Sequence, residues 1–122
     1  MKSDRREFVE SMKKRLLIYS KSIVLLADST PWKDISGQIL VKQLLRSGTS
    51  IAANYIEAQG APTKKDFTNF LSISLKFANE TIFWLDLFLE CQKGDRDRVI
   101  LLRAETVEFA NFLGSSIKKL RQ

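Results

Sequence analysis

Hydrophobic residues recur along this chain at steps of three and four, the period of helices buried along one side. From about Asp4 to Asp28 the stripe is Phe8, Met12, Leu16, Tyr19, Ile23 and Leu26. Asp4, with Glu7 three residues on, resembles a capping box and places the helix start there. Ser29-Thr30-Pro31 ends it, because the residue before proline avoids helical angles. A second helix is predicted from about Asp34 to Gln59, with the stripe Val41, Leu44, Leu45, Gly48, Ile51, Ala52 and Tyr55. Glycine inside a helix costs about 1 kcal/mol relative to alanine. Gly48 on the apolar stripe therefore predicts close approach to a neighbouring helix. Gly60-Ala61-Pro62 stops this helix, with Gly60 suited to the left-handed C-terminal position.

The third helix is predicted from about Lys64 to Cys91, opened by Thr63 as a capping hydroxyl three residues before Asp66. Its core face is Phe67, Phe70, Leu71, Phe77, Ala78, Leu85, Phe88 and Leu89. Gln92-Lys93-Gly94-Asp95 is a turn, and Asp95 caps a fourth helix from about Arg96 to Lys119. That helix carries Val99, Leu102, Thr106, Phe109, Ala110, Leu113, Ile117 and Leu120 as its stripe. No strand-like alternation, repeat or low-complexity tract is present. Four helices of about 25 residues, each about 37 Å long, with short connections imply an all-α, antiparallel up-and-down four-helix bundle. The 122 residues form one domain, 1–122.

The apolar pattern is wider than one bundle needs. Ile73, Trp84 and Leu87 lie well off the centre of the third helix's core stripe, and Phe83 lies nearly opposite it. The polar arc of that helix is narrow: Thr68, Ser72, Lys76, Asn79, Asp86 and Glu90. Leu17, Ile18, Val24 and Leu25 repeat the theme on the first helix. Contiguous exposed aromatics mark interfaces, so self-association is expected through Phe83, Trp84 and Leu87, although a wide core stripe with scattered surface hydrophobics gives the same letters. On the second helix, Gln43, Arg46, Ser50, Asn54 and Glu57 follow helical steps away from the core. Short polar side chains there permit close packing against another helix, with Arg46 and Glu57 held in hydrogen bonds. An ordinary solvated face fits them equally well.

Composition narrows the chemistry. With no histidine, the Ser-His and Cys-His pairings and the usual zinc ligand sets are absent. Asp86 and Glu90, one turn apart, could mimic a metal pair, but bundle di-metal sites use Glu-x-x-His motifs. No enzyme activity, cofactor or metal is expected. Cys91 is alone, which suits a reducing cytoplasm. The charged N-terminus lacks the apolar region of a secretory signal, and no apolar run is long enough to span a membrane. The net charge of +6 permits attraction to nucleic acid or anionic lipid without requiring it.

The stretch RSGTSIAANYIEAQ followed by KKDFTNFLSISLKFANETIFWLDLF resembles the four-helix-bundle proteins encoded within intervening sequences of bacterial 23S ribosomal RNA genes. The resemblance covers about Ile18 to Leu120. Its helix-two signature falls on Arg46, Ser50-Ile51, Asn54 and Glu57. Its helix-three signature falls on Asp66-Phe67, Phe70-Leu71-Ser72-Ile73, Ala78-Asn79-Glu80-Thr81 and Trp84-Leu85. Tyr55, Ile56 and Phe77 depart from the family's smaller or more polar choices. The resemblance implies a homopentameric ring and, through a related protein accompanying the reverse transcriptase of diversity-generating retroelements, nucleic-acid binding. Interface positions on this reading are Arg46, Ser50, Asn54, Glu57, Ile73, Glu80, Phe83, Trp84 and Leu87.

An up-and-down bundle places the chain termini and the helix two–three turn at one end. That end collects Lys2, Arg5, Arg6, Lys64, Lys65, Lys118, Lys119 and Arg121 against Asp4, Glu7, Glu57 and Asp66. The opposite end has Lys33, Lys93, Arg96 and Arg98 against Asp28, Asp34, Glu90, Asp95 and Asp97. Five parallel copies would gather the basic ends into one positive face. RNA or DNA backbone binding by this face is expected, carried by Arg5, Arg6, Lys13, Lys14, Lys64, Lys65, Lys118, Lys119 and Arg121, with Arg15 extending it. Basic residues near helix ends are also commonly just solvated, some complementing the helix dipole. The alternative is a scaffold or adaptor for an RNA-processing or polymerase partner, with Phe83 and Trp84 facing that protein.

Overall fold

The computed structural model describes residues 2–122, with side chains described from Asp4 onward. Four helices follow in order: α1 Lys2–Ser29, α2 Ile35–Gln59, α3 Lys64–Glu90 and α4 Arg96–Leu120. Three start at side-chain caps. Asp34 accepts from Gly37 N–H at 2.7 Å, Thr63 from Asp66 N–H at 3.1 Å, and Asp95 from Arg98 N–H at 3.3 Å. Each cap satisfies an N–H that has no partner within its own helix. Asp4 is not a cap: α1 already runs from Lys2, so Asp4 sits in its first turn, where a carboxylate suits the dipole.

The left-handed position predicted at Gly60 falls elsewhere. Gly60 has φ −96°, and its N–H turns back on Glu57 O at 3.1 Å. The left-handed residues are Gln92, φ 55°, and Gly94, φ 70°. After α3, Lys93 N–H reaches Phe88 O at 2.8 Å and Gln92 N–H reaches Leu89 O at 3.2 Å. That is the Schellman ending, with glutamine where glycine is usual.

Cross-helix contacts fix the topology. Tyr19 meets Thr106 and Phe109, Phe8 meets Phe112, Arg46 meets Glu80, Ser74 meets Ile51 and Arg103 meets Asp86. Early residues of each helix face late residues of the next, so neighbours run antiparallel. Among the described residues α2 packs closely on α3 and α3 on α4, α1 approaches α4 least, and the diagonal pairs do not meet. The chain is an up-and-down bundle.

The core follows the predicted stripes. Leu16, Tyr19, Ile23 and Leu26 meet Leu44, Ile51 and Tyr55, then Leu71, Ala78, Leu85 and Phe88, then Val99, Leu102, Phe109, Leu113 and Ile117. Gly48 lies against Ile23 of α1, the close approach its position predicted. Phe8 is half exposed, so the α1 stripe leaves the core before the helix begins. Five hydroxyls outside the predicted stripes are buried: Thr30, Ser47, Thr68, Ser74 and Thr81. Thr68 and Thr81 donate to the carbonyl four residues back, and Ser74 donates to Ile51 O at 2.8 Å. Bonds to main-chain carbonyls, local for Thr68 and Thr81 and across helices for Ser74, let short hydroxyls behave as core residues.

Candidate nucleic-acid interface

The end carrying both chain termini and the α2–α3 turn is where the cations gather. Arg5 and Arg6 stand in the first turns of α1 beside Gln59 and Phe67, and Arg5 shares a second cleft with Lys119. Lys64 and Lys65 open α3, and Lys118 and Lys119 close α4. All six are exposed. Arg121 donates to Ser72 Oγ, a neutral partner, at 3.2 Å. Lys2 lies outside the described side chains.

Ion pairs among the described residues are confined to the rest of the bundle, although Lys14, Lys21, Lys33, Lys42, Lys76 and Arg96 there also belong to none. Among the described residues, Arg5, Arg6, Lys64, Lys65, Lys118, Lys119 and Arg121 belong to no ion pair. Elsewhere Lys13 pairs with Glu10, Arg46 with Glu80, Lys93 with Asp34, Arg98 with Asp95 and Arg103 with Asp86. At the far end the hydrogen bond from Lys93, with that from Gly37 N–H, holds the Asp34 carboxyl below its ordinary value. The Asp86 bond raises Arg103 above its own. Of the nearby acids, Asp66 accepts from Thr63 Oγ1 at 2.9 Å.

The predicted extension down α1 is not continuous. Arg15 is held by Glu105 at 3.1 Å and by Glu108, and its guanidinium lies 4.5 Å from the Phe109 ring centroid. Its charge is met by α4. Lys13 and Lys14 remain outward, but adjacent helix positions diverge by about 100°, so they do not form one strip.

Aromatics sit beneath the cations. Phe8 packs at 5.7 Å on Phe112, which lies 6.2 Å from Tyr55. With Phe67 they border a cleft of about 240 Å³ open among all four helices. The sequence stripes assign Phe8 and Tyr55 to the core; Tyr55 is buried there, whereas Phe8 is half exposed, and only its turn number, close to the bundle end, hints at that.

The predicted interface positions form one outer face of α2 and α3. Arg46 bonds Glu80 at 3.0 Å and lies over the Phe77 ring at 5.5 Å. Trp84 Nε1–H also reaches Glu80, at 3.5 Å. Ser50 donates to Arg46 O at 2.5 Å, and Asn54 to Ser50 O at 2.8 Å. Glu57 is exposed, and its carboxylate makes no hydrogen bond or ion pair among the described residues. Phe83 is 55% exposed and Ile73 39%, whereas Trp84 and Leu87 are half-buried against the core. Phe83 and Trp84 meet edge to face at 5.0 Å.

A second apolar surface runs beside the α1–α4 seam. Leu17, Ile18 and Leu101 are about 70% exposed. Leu25 and Leu101 edge a groove of about 300 Å³ that also contains Arg98 and Glu105. Asp86, one half of the acid pair on α3, is taken by Arg103 at 2.5 Å. No group of three or more Cys, Asp or Glu among the described residues could hold a metal ion. No described helix is long and apolar enough to cross a membrane.

A model of the family described as 23S rRNA-intervening sequence protein matches residues 13–115. Among solved structures the chain is similar to a protein of unknown function from the S23 ribosomal protein family of Bacteroides thetaiotaomicron VPI-5482, known at 1.70 Å resolution. The two share 37% identity and a TM-score of 0.76, over 87% of this chain and 97% of that one. No curated protein matches.

Proposed function

As this chain belongs to the 23S rRNA-intervening sequence protein family, we propose that it is a non-enzymatic bundle that assembles with copies of itself and presents its basic end to nucleic-acid backbones. One observation carries the reading. All seven described cations of that end are exposed and in no ion pair among the described residues, whereas of the twelve cations elsewhere six are paired, Arg15, Arg46, Lys93 and Arg103 among them. Unpaired Lys and Arg can neutralise phosphates and release their counterions. The first N–H groups of α3, beside Lys64 and Lys65, add donors for a phosphate oxygen. Contacts from these cations to phosphates position a strand without reading its sequence, so the binding is backbone-directed.

Self-assembly rests on the exposed Phe83, Ile73 and the edge of Trp84, with Leu17, Ile18 and Leu101 as further apolar surface. Five copies are the number that the family resemblance implies. A parallel arrangement multiplies the cationic end and with it the salt-sensitive attraction. The test is anisotropy of labelled RNA and duplex DNA against salt. Affinity falls by about tenfold or more between 50 and 200 mM salt if several phosphates are neutralised. An affinity that does not change contradicts the mechanism.

The second reading, an adaptor for another protein, is favoured by Phe83 set edge to face against Trp84 at the surface. A chain that scatters light as a monomer of 14.0 kDa supports the adaptor and removes the ring.

A further inference from the structure

We propose that the cleft among Phe8, Phe112, Tyr55 and Phe67 holds one unpaired nucleobase, which makes the basic end a reader of single-stranded rather than duplex nucleic acid. The inference rests on backbone binding at that end and adds what the strand must offer besides phosphate. Three observations carry it. Phe8 keeps 49% of its surface exposed although its ring packs on Phe112 at 5.7 Å, so one ring face stays open beside the cleft. The cleft, about 240 Å³, falls below the roughly 300–1,000 Å³ of drug-sized sites and suits a single flat ring system. Its rim is cationic: Arg5 and Lys119 border it directly, and Arg6 borders the adjoining cleft.

Tyr55 adds a polar point inside. The residue is 4% exposed, yet its hydroxyl makes no hydrogen bond among the described residues. Tyr55 Oη is not among the buried polar atoms that lack a partner, so it opens toward the cleft, where a base edge supplies either a donor or an acceptor. Gln59 and Ser116 also border the cleft. An apolar floor, an open aromatic face, a hydroxyl and a ring of cations together match a base and the phosphates on either side of it. Duplex DNA offers the phosphates but keeps its bases stacked away. Single strands present π-faces that stack on exposed aromatics, whatever the base.

The test uses the full chain and three labelled 12-nucleotide probes at one salt concentration: oligodeoxyadenylate, the same length of abasic strand, and a duplex. Oligodeoxyadenylate binds about tenfold tighter than the abasic strand, as stacking of one base predicts. Phe8→Ala removes that preference while leaving duplex affinity within about twofold, and Phe8→Trp restores it. Circular dichroism of each variant verifies that the helices persist. Equal affinity for the abasic and adenylate strands overturns the base site and leaves the backbone reading standing. Failure of all three probes to bind overturns both.

Discussion

Gly48 lies under Ile23 so closely that a methyl group on its Cα would sit 2.9 Å from Ile23 Cγ2 and 3.1 Å from Cγ1 and Cδ1. Ile23 is wholly buried and, being β-branched, has little rotamer freedom to withdraw. Alanine gains about 1 kcal/mol of helix propensity over glycine, but overpacking a tight core costs about 1–3 kcal/mol. Gly48→Ala therefore destabilises the bundle by about 1 kcal/mol in chemical denaturation. In an Ile23→Ala background the same substitution becomes neutral or stabilising, because the obstructing carbons are gone. A penalty that persists in that background would show that Ile23 is not the obstacle.

Tyr19 supplies a pH dependence. Thr106 Oγ1 donates to Leu102 O at 2.6 Å, which leaves its oxygen to accept from the Tyr19 hydroxyl at 2.6 Å. Burial raises the Tyr19 hydroxyl above its ordinary value of 10.0, with the Thr106 bond acting in the opposite sense. A group raised on folding contributes fully below its unfolded value, and that contribution falls as pH rises above it. Stability should hold to about pH 10 and decline beyond. Tyr19→Phe should cost about 1 kcal/mol at neutral pH and flatten the alkaline decline, leaving the smaller share from Tyr55, which burial also raises. Thermal unfolding of both proteins between pH 7 and 12 measures this.

Gln92 holds a left-handed conformation, φ 55°, at the end of α3. A side chain there costs about 1–2 kcal/mol in backbone strain, and glycine removes the cause. Gln92→Gly should raise stability by about 1 kcal/mol. An unchanged denaturation midpoint would mean that contacts of the glutamine side chain offset the strain.

Phe83 is the most exposed aromatic on the α2–α3 face. Light scattering should give a multiple of 14.0 kDa for the native chain. Phe83→Asp should reduce that mass while shifting stability by no more than about 0.5 kcal/mol, as for a surface position. An unaltered assembly would move the interface to the Leu17, Ile18 and Leu101 surface.

The architecture was legible because its signals are local. Thr63 and Asp95 stand immediately before the apolar periodicity and each does cap a helix, while Asp34, read only as the start of the second helix, is a third cap. The Gly48 approach was readable because only packing justifies glycine on a buried stripe. Gly60 misled because a glycine two residues before a proline looks like a left-handed stop, while the turn closes through ordinary angles. The basic end was legible from topology alone, since antiparallel helices must bring the termini to the α2–α3 turn. The pairing of Arg15 was not: Glu105 and Glu108 lie about ninety positions away, and their meeting depends on how α1 and α4 are rotated. Periodicity likewise assigns Phe8 a face but does not say where neighbouring helices stop covering it.

The most direct measurement compares two charge reversals of equal size at opposite ends. Lys64→Glu with Lys65→Glu alters the basic end, and Lys33→Glu with Arg96→Glu alters the other. Binding of a labelled single strand at low salt should weaken by about a hundredfold for the first pair, as loss and reversal of phosphate contacts predicts. It should stay within about threefold for the second. Equal losses would mean that net charge alone draws nucleic acid, and that the unpaired cations beside the chain termini form no site.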